Sequence, residues 1–256
     1  MKIAKILGLN IKESDREAYL RKGGLIVAEF VACGDLGAEV PMSSYEDDCR
    51  QSVLFTGVYG GVVWNRWNKK ATPYIVSQDC TGSSLYEFRL RVGFVHVPVP
   101  FLGCVQHPSI HKISNSKQMQ PWMLGNTYDR PIPRRILEEK GVDRNLFGQT
   151  KKSLGVMLSC SLNDMKLRMN SESFSSFYEF YNNHKYRLTF SKRVFYDTMY
   201  RCDKILTYFF QLLAKLRIPV DVSRLELRRN PCVTSFLLHW GLSVIENRYK
   251  TVQDND

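Results

Sequence analysis

The chain reads as an α/β protein that is predominantly helical, and three observations carry that reading. An apolar run over residues 52–56, SVLFT, leads into a turn containing Gly57, Gly60 and Gly61, the pattern of a buried strand followed by a ligand-facing loop and a helix. Residues 172–183 and 194–216 carry the apolar periodicity of amphipathic helices. A third helix, over residues 134–140, is delimited by proline at its start and Gly141 at its end.

Taken in order, Ser14 is placed to cap a helix over residues 15–22 that the Gly23-Gly24 pair ends, and residues 25–33 form a second apolar helical segment closed by Gly34 and Gly37. A short helix over residues 43–49 follows Pro41. Its Glu46, Asp47 and Asp48 point in different directions, so they read as a solvated first turn and not as a metal site. Residues 52–56 are the strand, and Trp64 and Trp67, three apart, are expected to pack from one face of the next helix.

Residues 65–81 turn polar and read as a surface loop with a short strand at 74–76; residues 85–92 regain helical periodicity. The run VHVPVPFLG is held extended by its prolines, with His96 as a satisfied structural histidine. Residues 109–120 form a helix leading to Trp122.

The most specific chemistry falls in residues 121–152, PWMLGNTYDRPIPRRILEEKGVDRNLFGQTKK. Pro131 and Pro133 hold the approach extended, and Pro133 starts a helix where its missing amide costs nothing. Gly141 ends it; Asp143 then caps a second turn over residues 145–147, which Gly148 closes. The result is an elbow presenting Arg134, Arg135, Arg144, Lys151 and Lys152 from closely spaced backbone. Such a cluster suits phosphate, which arginine forks and lysine point charges hold. A plain basic face over Ile136, Leu137 and Leu146 is the alternative.

Beyond the elbow, residues 153–160 form a short apolar element, Ile218-Pro219 breaks the long helix, and residues 236–249 make a last apolar helix or pair of turns around Gly241, with a disordered tail at 251–256. The expected division is therefore 1–155, a helical tail or subdomain at 156–250, and the tail.

Composition narrows the function. The 256 residues are 44% hydrophobic, ample for a core, and net +11; residues 1–100 contribute +1 and residues 101–256 contribute +10. ATP, an acidic partner or nucleic acid would answer that field. Aromatics interleaved with basic residues around 178–201 would suit stacked bases, yet Phe174, Phe177, Tyr178, Phe180 and Tyr181 recur at helical spacing, which assigns them to a core and disfavours nucleic acid. No window holds eighteen uninterrupted apolar residues, so no membrane partner is expected. Seven scattered cysteines without a C-x-x-C pair read as reduced thiols in a cytoplasmic protein, and His107 and His111, with Pro108 between them, do not make a metal pair.

Three segments share a likeness. The runs LFTGVYGGVVWNR (54–66), SLYEFRLRVGF (84–94) and DRPIPRRILEEKGVDRNLFGQTKK (129–152) resemble the asparagine synthetase-like family, and within it uncharacterised bacterial asparagine synthase-like proteins. The resemblance covers residues 1–155. It implies the C-terminal part of an adenine-nucleotide α-hydrolase-like (PP-loop ATPase) synthetase domain. That family activates a carboxylate as its acyl-adenylate with ATP and Mg, and a nitrogen nucleophile then displaces AMP to form an amide.

Carried onto this chain, Gly57, Gly60 and Gly61 stand at the nucleotide, with Arg134 or Arg135 and Lys151 or Lys152 against the leaving pyrophosphate. Two departures stand out. The family's Ser-Gly-Gly-x-Asp-Ser nucleotide loop has no counterpart here, and Gly61 occupies the place of an acid that helps hold magnesium, which needs oxygen ligands.

The expected protein is thus truncated or split, with incomplete catalysis, no residue assignable as general base, and a nucleotide loop supplied by a separate chain or an upstream segment. The alternative is a non-catalytic subunit or binding module, a homo-oligomer included.

Overall fold

The computed structural model describes residues 2–69, 85–146, 148, 155–158, 161–185, 189–215 and 231–253. The described residues are predominantly helical with one small parallel sheet, as the sequence leads one to expect. The chain divides into two compact units, one of Met1–Arg16 with Ser44–Leu154 and one of Glu17–Ser43 with Gly155–Asp256.

The first unit carries the sheet. After α1 (Lys2–Ile6) and α3 (Glu46–Cys49), strand β1 (Val53–Thr56) pairs in parallel with β2 (Val95–Pro98), in the register Val53 opposite Val95 through Thr56 opposite Pro98. Between them stand α4 (Gly60–Val63) and α5 (Tyr86–Val92), whose Phe88 is buried edge-on against Phe94 at 5.5 Å. β2 runs directly into α6 (Val99–Leu102), and α7 (His107–Ser114) and α8 (Pro131–Glu139) complete the unit.

Several local expectations change here. β1 is not buried: Val53 and Phe55 lie on an open face, because strand and buried run look alike in five residues. The extended run stops at Pro98, since Pro100 fits the first turn of α6, where no amide is needed. α4 ends at Trp64, so Trp67 is not its helical neighbour; its indole instead donates to the Asn126 carbonyl at 2.7 Å. α7 stops at Ser114, and a 3-10 turn, Lys117–Trp122, follows. The strand expected at 74–76 lies outside the described residues.

The second unit is a helical packing around α2 (Ile26–Phe30), α9 (Leu162–Arg168), α10 (Ser171–His184), α11 (Phe190–Lys215) and α12 (Pro231–Gln253). Residues 15–22 give only a 3-10 turn, Ala18–Arg21. α12 is one continuous helix through Gly241, whose missing side chain lets it approach α2's extension: an added Cβ would lie 2.8 Å from Val31 Cγ1. The helix also reaches Gln253, past the start of the expected tail. Buried Trp240 meets Phe177 edge-on at 5.8 Å and donates its indole N–H to Ser176 Oγ. The α10 aromatics are therefore in part core, as their spacing indicates. Glu29, buried in α2, accepts from Arg248 at 2.7 Å.

Candidate functional site

The glycine turn and the elbow meet. β1 and β2 are parallel, so both open at the same end, where β1 enters Gly57 and β2 enters α6. Ligands of open parallel sheets bind outside the carboxyl ends of the strands. At that end lies a cleft of about 320 Å³ with Gly57, Gly60, Trp64 and Pro100 on the sheet side. Tyr128, Arg130, Pro133, Arg134, Leu137 and Gly148 line it from the elbow.

Local sequence explains each wall. Tyr59 adopts a left-handed φ of 68° to turn the chain out of β1 into α4. Gly60 is crowded, since an added Cβ would lie 3.3 Å from both Pro100 and Trp64. On the other wall α8 begins at Pro131, two residues earlier than Pro133, because a proline at the first helical position loses no hydrogen bond. Gly141 ends that helix with a φ of 82°, and Asp143 Oδ1 accepts from the Asn145 amide at 2.7 Å. Both were legible from residue type.

The elbow is held by one carboxylate. Asp129, fully buried, accepts from the amides of Leu124 and Gly125 at 3.0 Å each, from Arg66 at 3.2 Å and from Arg134 at 3.1 Å. Burial pushes its carboxyl up, but the two amides and two arginines outweigh that and hold it below the usual carboxylate range. The Arg66 amide also donates to the Asp129 carbonyl at 3.2 Å, so the end of the α4 segment is tied to the elbow twice.

The expected site residues thus separate. Gly57 and Gly60 line the cleft, with Gly61 beside it. Arg134 also lines it, but it is buried and committed to Asp129 and the Trp122 carbonyl. Arg135 stacks on Trp122 at 4.8 Å and pairs with Glu139 at 2.6 Å. Arg144 pairs with Glu138 at 2.6 Å and holds that carboxylate below its usual range. Lys151 and Lys152 lie outside the described residues.

The residue that sequence reasoning passed over is Arg130. Its guanidinium stacks on Tyr128 at 4.2 Å and lines the cleft, and among the described residues it has no carboxylate partner. An added Cβ on Gly61 would sit 3.4 Å from Arg130 Nη2, so glycine leaves this charge without the neighbour an acid would supply. The signal available in sequence was the placement of Arg130 before Pro131, outside the helix whose Glu139 and Glu138 pair with Arg135 and Arg144.

Two histidines resolve differently. His96 is nearly buried and shares a 2.7 Å hydrogen bond with Thr56 across the strands, a structural role. His107 is buried 6.0 Å from the His111 ring, and burial first, then His111, lowers its pKa.

The donor set around the cleft suits phosphate, but its described lining offers no carboxylate and does not fit magnesium. Fold and cleft together define a mostly helical α/β protein with a cationic pocket at the ends of parallel strands. No protein-family model, no curated protein and no solved structure matches the chain.

Proposed function

We propose that the cleft binds a phosphate-bearing ligand of the ATP or pyrophosphate class, and that the chain is a catalytically incomplete relative of asparagine synthetase-like ligases. The observation that carries this reading is Arg130, an arginine without a carboxylate partner among the described residues, aimed into the cleft where β1 and β2 end. Trp64 and Tyr128 supply aromatic surface beside that charge. Incomplete catalysis is supported by Gly61 and by the absence of the family's glycine-rich loop from the sequence. Magnesium would arrive on the nucleotide, and amide formation would need a chain that supplies the loop.

The test is a thermal melt of the full chain with ATP or pyrophosphate, repeated for Arg130→Ala. Ligand at ten times its Kd stabilises by about 1.4 kcal/mol, a rise of roughly 3–6 °C for a chain of this size. Arg130→Ala should lose that rise. An equal rise in both proteins refutes the assignment.

A second reading, that of a subunit, rests on the sheet. Parallel sheets are ordinarily covered on both faces, yet Val53, Phe55 and Val95 are each more than half exposed. A partner chain or a second copy would cover them. Light scattering that gives a monomer at high concentration, with no change on Phe55→Ser, would remove the homo-oligomer.

A further inference from the structure

Helix α11 turns its apolar side to solvent. Along its 26 residues, about 39 Å of helix, Val194, Ile205, Leu206 and Leu212 fall with Cys202 inside one arc of about 120°. Each of those four is 45% exposed or more, and Phe195 and Phe209 share the arc and are exposed too. Lys192 stands at one border of the arc and Arg201 at the other, both exposed and, among the described residues, without a carboxylate partner. The helix carries five basic residues against two acidic ones, within a chain of net +11.

We propose that α11 is an interfacial helix that lies in the plane of an anionic phospholipid surface. The arc would sit at the boundary of headgroups and acyl chains, while Lys192 and Arg201 extend along it so that their charged ends reach phosphate. Charge selects this occupant. A second copy would bring the same +11 to the contact. Nucleic acid would answer the charge but leave the aliphatic arc in water.

The expectation of no membrane partner came from the lack of a long apolar run, which is the criterion for spanning. An in-plane helix needs only an apolar face. Among the described residues no helix is long and apolar enough to cross a membrane, and α11 does not need to be.

The experiment is co-sedimentation of the full chain with vesicles of phosphatidylcholine alone, or with about one-third phosphatidylserine. Binding is expected to the second and not to the first. Lys192→Gln with Arg201→Gln should weaken it by about 30-fold, each neutralised charge counting for roughly 1 kcal/mol. Ile205→Glu with Leu212→Glu should abolish it. All four side chains are exposed, so circular dichroism and the melt should match the parent and certify folding.

Absence of binding to phosphatidylserine vesicles, equal binding to both vesicles, or binding that survives the Glu pair overturns the proposal. So does a concentration-dependent dimer that the Glu pair dissolves while no vesicle binding is seen, which would assign the arc to a second copy. RNA binding that the Gln pair removes and the Glu pair leaves intact would assign the charges to nucleic acid.

Discussion

Removing the Asp129 carboxylate should unfold the elbow. In Asp129→Ala, buried Arg134 loses its 3.1 Å ion pair with Asp129, and the Leu124 and Gly125 amides lose their acceptor. Breaking a buried ion pair from one side costs about 3–5 kcal/mol, since the surviving charge is left desolvated. At roughly 2–4 °C per kcal/mol for a chain of this length, the melting temperature should fall by about 6–20 °C. Asp129→Asn retains volume and one acceptor but turns an N–H toward donors, so it should fall between.

The internal control is Arg135→Ala. Its exposed i,i+4 pair with Glu139 counts for about 0.3–0.5 kcal/mol and its stack on Trp122 for about 0.5–1 kcal/mol, together well short of the loss at Asp129. Urea melts give the stabilities, and hydrogen exchange at Leu124 and Gly125 reads the loss locally, because those two amides should exchange fastest in the variant. An Asp129→Ala protein within about 1 kcal/mol of the parent, with both amides still protected, would refute the account of the elbow as a buried-charge hub.

Acid should weaken the fold in two windows. Burial lowers the His107 pKa, so the unfolded chain binds its proton more readily; stability is full above about pH 6.5 and declines as pH falls below it, a decline that His107→Gln should flatten in urea midpoints. Asp129 is depressed in the folded state, so its contribution is present above about pH 3.9 and is lost as pH falls through the lower folded value, a step missing from Asp129→Asn. Gly241→Ala sets a helix-propensity gain of about 1 kcal/mol against a Cβ 2.8 Å from Val31 Cγ1 and 3.2 Å from the Ala32 amide nitrogen. Overpacking against backbone costs about 1–3 kcal/mol, so the melt should fall, and a rise would show that α2 and α12 can move apart. Gly61→Asp should place a carboxylate beside Arg130 and suppress the ligand-induced melting shift without lowering basal stability; an unchanged shift would separate Arg130 from the ligand.

Punctuation was readable from sequence, and tertiary partnership was not. Gly141 acts through its own backbone and Asp143 through its nearest amide, so the end of the elbow's helix and the turn after it follow from residue type, whereas the helix start, at Pro131 and not Pro133, did not. α10 and α11 follow from period and length, because long amphipathic runs average over local conflicts. The glycine turn at the end of a strand was legible too, and it does line the cleft.

The arginines were not. Neighbouring helical residues such as Arg134 and Arg135 point about 100° apart, so an adjacent pair cannot serve one site. Which of them faces inward depends on Asp129, a partner five residues away whose burial no local pattern announces. The face of β1 was equally hidden, since four residues of strand carry no record of whether anything covers them.

The register of β1 and β2 has a kinetic side. Val53 pairs with Val95, 42 residues on, so the ladder closes a long loop at an entropic cost of about 3 kcal/mol before any constant term. Four paired residues a side cannot hold such a closure unaided, and the packing of Phe88 on Phe94 and the burial of Val63 must already be in place. The floor of the cleft therefore depends on packing beyond its own walls, and a substitution at Phe88, which is not a lining residue, should loosen the ligand's seat.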